Sequence, residues 1–161
     1  MKSYQLTFEQ LLPISLSEAW DFFSSPLNLA KITPPEMAFT VTSSKEQSEK
    51  MYPGMIITYT VSPVFNIKLN WMTEITHVAE GKYFIDEQRF GPYEFWHHQH
   101  HFRSVTGGTM MNDILTYGLP LGPLGQLANS IFVENKVKEI FNFRTKRVKE
   151  LFGDYTTATD T

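Results

Sequence analysis

Polar and apolar residues alternate with a period of two in seven stretches of the chain, and after residue 125 the step changes to three and four. A period of two marks a strand with one buried face; the longer step marks an amphipathic helix. Tyr4, Leu6 and Phe8 alternate with Gln5, Thr7 and Glu9, which predicts a first strand that Pro13 ends. Ser15 has Glu18 three residues on, the spacing of a helix-starting capping box. The short helix it opens carries Leu16, Ala19, Trp20 and Phe23 and is broken by Ser24-Ser25-Pro26. Leu27 to Ile32 predicts a second short helical piece. Thr33-Pro34-Pro35 stops it, because a proline disfavours helical geometry in the residue before it.

From Phe39 the chain reads as strands: Phe39 to Thr42, Met55 to Val61, Ile67 to Thr76, Lys82 to Phe90, Phe95 to Arg103 and Gly108 to Gly118. Ser43 to Met51 reads as a charged loop, and Ser62-Pro63, Gly81 and Gly91-Pro92-Tyr93 as turns. Short connections imply an antiparallel meander. Val105-Thr106-Gly107-Gly108 is a hairpin signal. A turn centred between Thr106 and Gly107 pairs His100 with Asp113, Phe102 with Met111, His98 with Leu115 and Trp96 with Tyr117. Alternation then puts Trp96, His98, His100 and Phe102 on one face, and His97 and His101 on the other, toward solvent.

Past the Gly/Pro-rich stretch Gly118 to Gly125, the positions Val133, Val137, Ile140, Phe141, Val148, Leu151 and Phe152 predict one helix over Gln126 to Phe152. At 1.5 Å per residue it spans roughly 40 Å. Arg144, Lys146, Arg147 and Lys149 suit its negative end, and Gly153 ends it. The expected class is α+β: a curved antiparallel sheet of about seven strands around a long C-terminal helix, with two short helices after strand 1. Residues 1–153 read as a single domain, and the polar, Thr-rich 154–161 as a disordered tail.

Composition narrows the partners. The net charge of -3, with no clustered basic patch, argues against nucleic acid. No stretch approaches the ~20 apolar residues of a membrane-spanning helix, so no transmembrane segment is expected. No cysteine is present, which removes disulfide and thiolate chemistry and fits a cytoplasmic location. Aromatics make up 14% of the chain, led by thirteen Phe.

The element order, together with particular residues, resembles a known superfamily. Those residues are Ile32-Thr33-Pro34-Pro35; Pro53-Gly54 with Ile57 and Tyr59; Trp71 with Glu74-Ile75; Asp86-Glu87-Gln88; Gly91-Pro92; Trp96, His98, His100 and Phe102; Gly108-Thr109 and Asp113; Leu119-Pro120 with Gly122 to Gly125; and Phe141 to Arg144. From about Tyr4 to Phe152 the chain resembles the SRPBCC superfamily, which has the helix-grip fold of START lipid-transfer domains and birch-pollen-allergen-type proteins. The finer resemblance is to a bacterial subgroup of ligand-binding SRPBCC domains. It implies a cavity between the last helix and the sheet that takes an apolar or amphipathic small molecule, such as a lipid, quinone or polyketide-like compound.

Candidate site residues follow. Trp71, Trp96, Phe102, Met111, Tyr117 and Phe141 would give apolar contact, with His98, His100 and Asp113 fixing ligand orientation. Asp86 and Gln88 would extend the polar group if Phe84 faces inward. Arg144 falls within the helix's apolar stripe, where it either joins the polar cluster through a carboxylate, carbonyl or ligand-anion partner or lays its stem on the core while its head reaches water, the second being the simpler reading. His98, His100 and Asp113 are weak candidates for an acid-base site of cyclase or isomerase type, or simply a satisfied structural group. They could also ligate a metal, but no second shell is legible, so no metal and no cofactor is assigned. A non-catalytic interaction domain with a filled core is a third reading. Phe132 and Phe143, off the helix stripe, leave room for a homodimer.

Overall fold

The protein is described here by a computed structural model covering residues 2–43, 50–62 and 67–155. The Ser43 to Met51 loop, the Ser62-Pro63 turn and the tail lie wholly or partly outside the described residues.

Strand β1 (Ser3–Leu12) leads into helix α1 (Leu16–Phe23), whose capping box forms as expected: the Ser15 side chain accepts from the Glu18 amide, and the Glu18 carboxylate accepts from the Ser15 amide. Helix α2 (Pro26–Leu29) and two short 3-10 turns, Ala30–Ile32 and Pro35–Met37, follow. Then come β2 (Thr40–Val41), β3 (Met55–Val61), β4 (Leu69–Ala79), β5 (Tyr83–Phe90), β6 (Phe95–Val105) and β7 (Gly108–Gly118). All pair antiparallel in one curved sheet, in the order β1-β7-β6-β5-β4-β3-β2. The β6–β7 register is the one the hairpin predicts, with His100 opposite Asp113 and Trp96 opposite Tyr117. Ile67, expected within a strand, precedes the first paired residue of β4, Leu69.

The C-terminal helix differs from a single run over Gln126 to Phe152. It opens earlier, as α3 (Pro123–Ala128), passes through a π-helical turn at Asn129–Val133, and continues as α4 (Glu134–Phe152). Asn129 is buried, and its side-chain oxygen accepts from the Tyr117 hydroxyl at 2.8 Å. That bond ties the widened turn to the end of β7. Helical periodicity carries no mark of one inserted residue, so the sequence does not show the bulge.

The helix covers the sheet unevenly. Val137 and Phe141 pack on Leu115 and Tyr117 of β7, and Phe141 stacks on Phe8 of β1 with ring centroids 4.0 Å apart. Farther along, Val148 joins Leu12, Trp20, Phe23, Phe102 and Met111 in the main core. The β1–β7 side is thereby closed by helix, and β6 is reached by it at His98, whose ring lies 5.5 Å from that of Phe141, whereas β3 to β5 face the helix across a cavity. Beyond Gly153, Asp154 pairs with Lys149 at 2.9 Å, and the Tyr155 hydroxyl donates to the Thr106 carbonyl in the hairpin turn. These two residues, expected in a disordered tail, therefore touch the domain; 156–161 lie outside the described residues.

Gly108 opens β7 where β1 ends, and a Cβ there would collide with the Leu12 carbonyl oxygen. Backbone cannot yield as a side-chain tip can. Gly108→Ala is expected to lower unfolding free energy by about 1–3 kcal/mol, measured by urea denaturation.

Candidate functional site

Register and pleat place the polar cluster. Asp86 of β5 lies opposite His98 of β6, and His100 of β6 lies opposite Asp113 of β7. Directly paired residues share a face, so three adjacent strands turn two carboxylates and two imidazoles inward. His98, His100 and Asp113 are each buried, and Asp86 nearly so. His98 Nε2 lies 3.0 Å from Asp113 Oδ1, and His98 Nδ1 lies 3.5 Å from Asp86 Oδ2. His100 Nε2 lies 2.9 Å from the same Asp86 oxygen, and His100 Nδ1 lies 2.7 Å from Asp113 Oδ1. This last contact is close but lacks the alignment of a hydrogen bond. The imidazole centroids are 3.8 Å apart, and Phe84 stacks on His100 at 4.2 Å.

Burial sets these groups against one another. It pushes the Asp113 carboxyl up, but the charge and close approach of His100, with the hydrogen bond and charge of His98, outweigh it and hold Asp113 well below the usual carboxylate range. Asp86 is likewise raised by burial, and more than offset by its hydrogen bond with His100 and by the charges of His98, His100 and Arg144. Burial and the neighbouring His100 charge lower His98, overcoming both carboxylates. For His100, burial is outweighed by Asp113 and Asp86, and its pKa rises. The surroundings therefore push the two rings in opposite directions: a proton is favoured on His100 and disfavoured on His98.

Above this cluster lies a cavity of about 530 Å³. Its floor is Ile57, Tyr59 and Val61 of β3, Trp71, Thr73 and Ile75 of β4, Phe84 and Asp86 of β5, and Trp96, His98 and His100 of β6. Its roof is Val133, Lys136, Val137, Ile140 and Arg144, and its flank is Phe22, Phe23, Leu29 and Ile32 of the early helices and turn. Trp71 and Trp96 meet edge to face at 5.3 Å. At the rim stand Leu121, Leu124 and Phe132, all exposed.

Among the aromatic and polar candidates, Trp71, Trp96, His98 and His100 line this cavity, as do Asp86 and Arg144. Phe102, Met111, Tyr117 and Phe141 do not: they fill the cores beneath α1 and α4, because the helix closes that half of the sheet. Asp113 also stays off the cavity wall and supports the histidines from behind. Gln88 is outside the cluster; its amide clamps the Tyr93 backbone at 2.6 and 3.2 Å and so holds the β5–β6 turn. Arg144 does not simply run its head to water. Its guanidinium lies over the Phe141 ring at 4.8 Å, and its Nε is buried without a hydrogen-bond partner among the described residues. The Trp71 indole N–H is buried and unpartnered in the same way. Sequence reasoning missed Tyr59, whose hydroxyl bonds Thr73 Oγ1 at 2.9 Å; its pairing with Trp71 across β3–β4 was the available clue.

No protein-family model matches the chain, and no curated protein does. Solved structures do. A Chromobacterium violaceum protein superposes with a TM-score of 0.69 at 14% identity, covering 94% of this chain and 98% of its own. A Mycobacterium smegmatis protein gives 0.64 at 18%, covering 91% and 92%. Ara h 8.0201 gives 0.59 at 13%, covering 92% and 99%. The fold is the helix-grip fold. At these identities the likeness reaches the architecture and not the chemistry of the site. Among the described residues no helix is long and apolar enough to cross a membrane.

Because the Asp113 pKa is depressed on folding, its ionised form favours the folded state. That stability is complete above the unfolded value of ~4 and is lost as pH falls through the folded value. Asp113→Asn is expected to cost roughly 3 kcal/mol at pH 7, by leaving His100 short of its counter-charge, and to flatten the acid limb of the stability curve. Urea midpoints of both proteins between pH 3 and 7 measure this.

Proposed function

We propose that the protein is a binding module of the ligand-binding SRPBCC kind, holding one apolar or amphipathic small molecule between α4 and the β3–β6 half of the sheet. The observation that carries the reading is the cavity. At about 530 Å³ it falls within the ~300–1,000 Å³ of small-molecule sites, and it has their mix of apolar wall and few polar groups. A filled core would instead have closed β3 to β5 as tightly as β7.

The polar groups indicate which end of a ligand goes where. The Trp71 indole N–H and the Arg144 Nε–H are donors without partners among the described residues, and both residues line the cavity. A buried donor left unpaired costs about 1–3 kcal/mol. A ligand with a carboxylate or carbonyl head recovers this while its apolar body lies on Trp96, Ile57 and Ile140. Fatty acids, quinones and polyketide-like carbonyl compounds share that plan. An acid-base enzyme of cyclase or isomerase type is not favoured, because every histidine nitrogen in the cluster already faces a carboxylate within 3.5 Å.

Native mass spectrometry of protein purified from its own host is expected to show a co-purifying apolar molecule that organic solvent removes. With extracted protein, dodecanoic acid and a short-chain quinone are expected to quench tryptophan fluorescence saturably, since two of the three tryptophans line the cavity. Arg144→Met is expected to weaken dodecanoic acid by about tenfold or more while leaving dodecane unchanged. Absence of both a co-purifying molecule and any quenching would refute the binding module.

A further inference from the structure

We propose that Asp86, His98 and His100 form a binding site for a first-row divalent transition metal, opening into the cavity and backed by Asp113. Asp86, His98 and His100 each offer a donor atom, and the three donors lie within 4.8 Å of one another. Asp86 Oδ2 lies 3.5 Å from His98 Nδ1 and 2.9 Å from His100 Nε2. For metal–ligand bonds of ~2.1 Å, neighbouring donors in tetrahedral or octahedral shells stand about 3.0–3.4 Å apart. The strands thus already hold these donors near the edges of a coordination shell.

The opposite edge of each ring supplies the second argument. His98 Nε2 and His100 Nδ1 both approach one oxygen of Asp113, at 3.0 and 2.7 Å. A metal-bound histidine typically turns its other N–H toward a carboxylate, which fixes tautomer and orientation. Here one buried carboxylate stands behind both rings. It is hydrogen-bonded with His98 Nε2, which leaves His98 Nδ1 as a lone-pair donor beside Asp86, and it lies 2.7 Å from His100 Nδ1, on the side of that ring away from the Nε2 that meets Asp86. The partition matches: Asp86, His98 and His100 line the cavity, and Asp113 does not.

Charge and donor type complete the case. Two carboxylates are buried together, and a divalent cation held by neutral imidazoles balances both; any proton between His100 Nε2 and Asp86 Oδ2, 2.9 Å apart, leaves to solvent as the metal enters. Two imidazole nitrogens and one carboxylate suit zinc or ferrous-type ions, not magnesium or calcium, which prefer all-oxygen shells. All three residues line the cavity, so an oxygen-bearing group bound there can complete the shell. The site does not depend on the apolar-ligand reading, since metal binding needs only the cluster.

The test is titration of the untagged full chain, stripped with EDTA and dialysed, with zinc chloride by calorimetry and with cobalt(II) chloride by visible absorption. One equivalent of zinc is expected to bind with a micromolar or tighter Kd, to raise Tm, and to give way to cobalt bands of a nitrogen/oxygen shell. Asp86→Asn and His98→Gln are expected to lose at least 100-fold in affinity. Asp113→Asn should lose about 10–100-fold through its support of the rings, and His97→Gln, on the other face, nothing. Circular dichroism checks that each variant folds. If the wild-type chain shows no saturable 1:1 binding up to millimolar zinc, the site does not exist. If folded Asp86→Asn binds as wild type, the assignment of ligands is wrong. Either result leaves fluorescence binding of dodecanoic acid as a separate readout of the cavity.

Discussion

Two carboxylates buried on the inner face of a sheet cannot remain ionised without compensation, and this requirement organises the middle of the molecule. Asp86 and Asp113 sit on strands either side of β6, and both stay ionised against the pull of burial. Compensation comes from the strand between them, where His98 and His100 are two residues apart and so share a face. The two carboxylates favour a proton on His100, and burial with the neighbouring His100 disfavours one on His98. The arrangement needs three strands in register. A slip of one residue in either β5–β6 or β6–β7 would bury a carboxylate with no imidazole beside it.

The same constraint explains the turn chemistry at both ends of β6. The 107–108 glycine pair fixes the β6–β7 register at one end, and Gly107 takes a positive φ of 78° there. At the other, Gln88 clamps the Tyr93 backbone and holds the β5–β6 connection. Gln88 thereby supports the cluster without belonging to it. Asn129 plays a comparable part for the roof, holding the π-helical turn on Tyr117. The helix then runs on over β7 and β1 and keeps its distance from β3 to β5.

That distance makes the cavity. Arg144 is its most informative residue, because it stands in the apolar stripe of the helix, stacks on Phe141, and contributes to holding Asp86 ionised. Its charge acts on Asp86 of the histidine cluster and gives a mostly apolar chamber a polar region, and the buried Trp71 N–H adds a second unpartnered donor among the lining residues. A ligand head, a metal ion, or both in contact would meet the protein there.

Much of this was legible in the residues. Alternation assigned His98, His100 and Trp96 to one face, the hairpin glycines set His100 against Asp113, and the capping box placed α1, because these are local properties of the chain. The inward side of Asp86 followed from Phe84, though not its bond to His100. What alternation cannot say is what lies above a face. Phe102, Met111, Tyr117 and Phe141 carry the same apolar signature as Trp71 and Trp96, yet the former fill core and the latter line a chamber. The difference depends on where one helix comes to rest across the sheet. That is settled by long-range packing: Phe141 on Phe8, Val148 among the α1 aromatics, Asn129 on Tyr117. The residues determined which side chains face inward, and only the tertiary structure decided which of them are covered, because cover is supplied by segments distant along the chain.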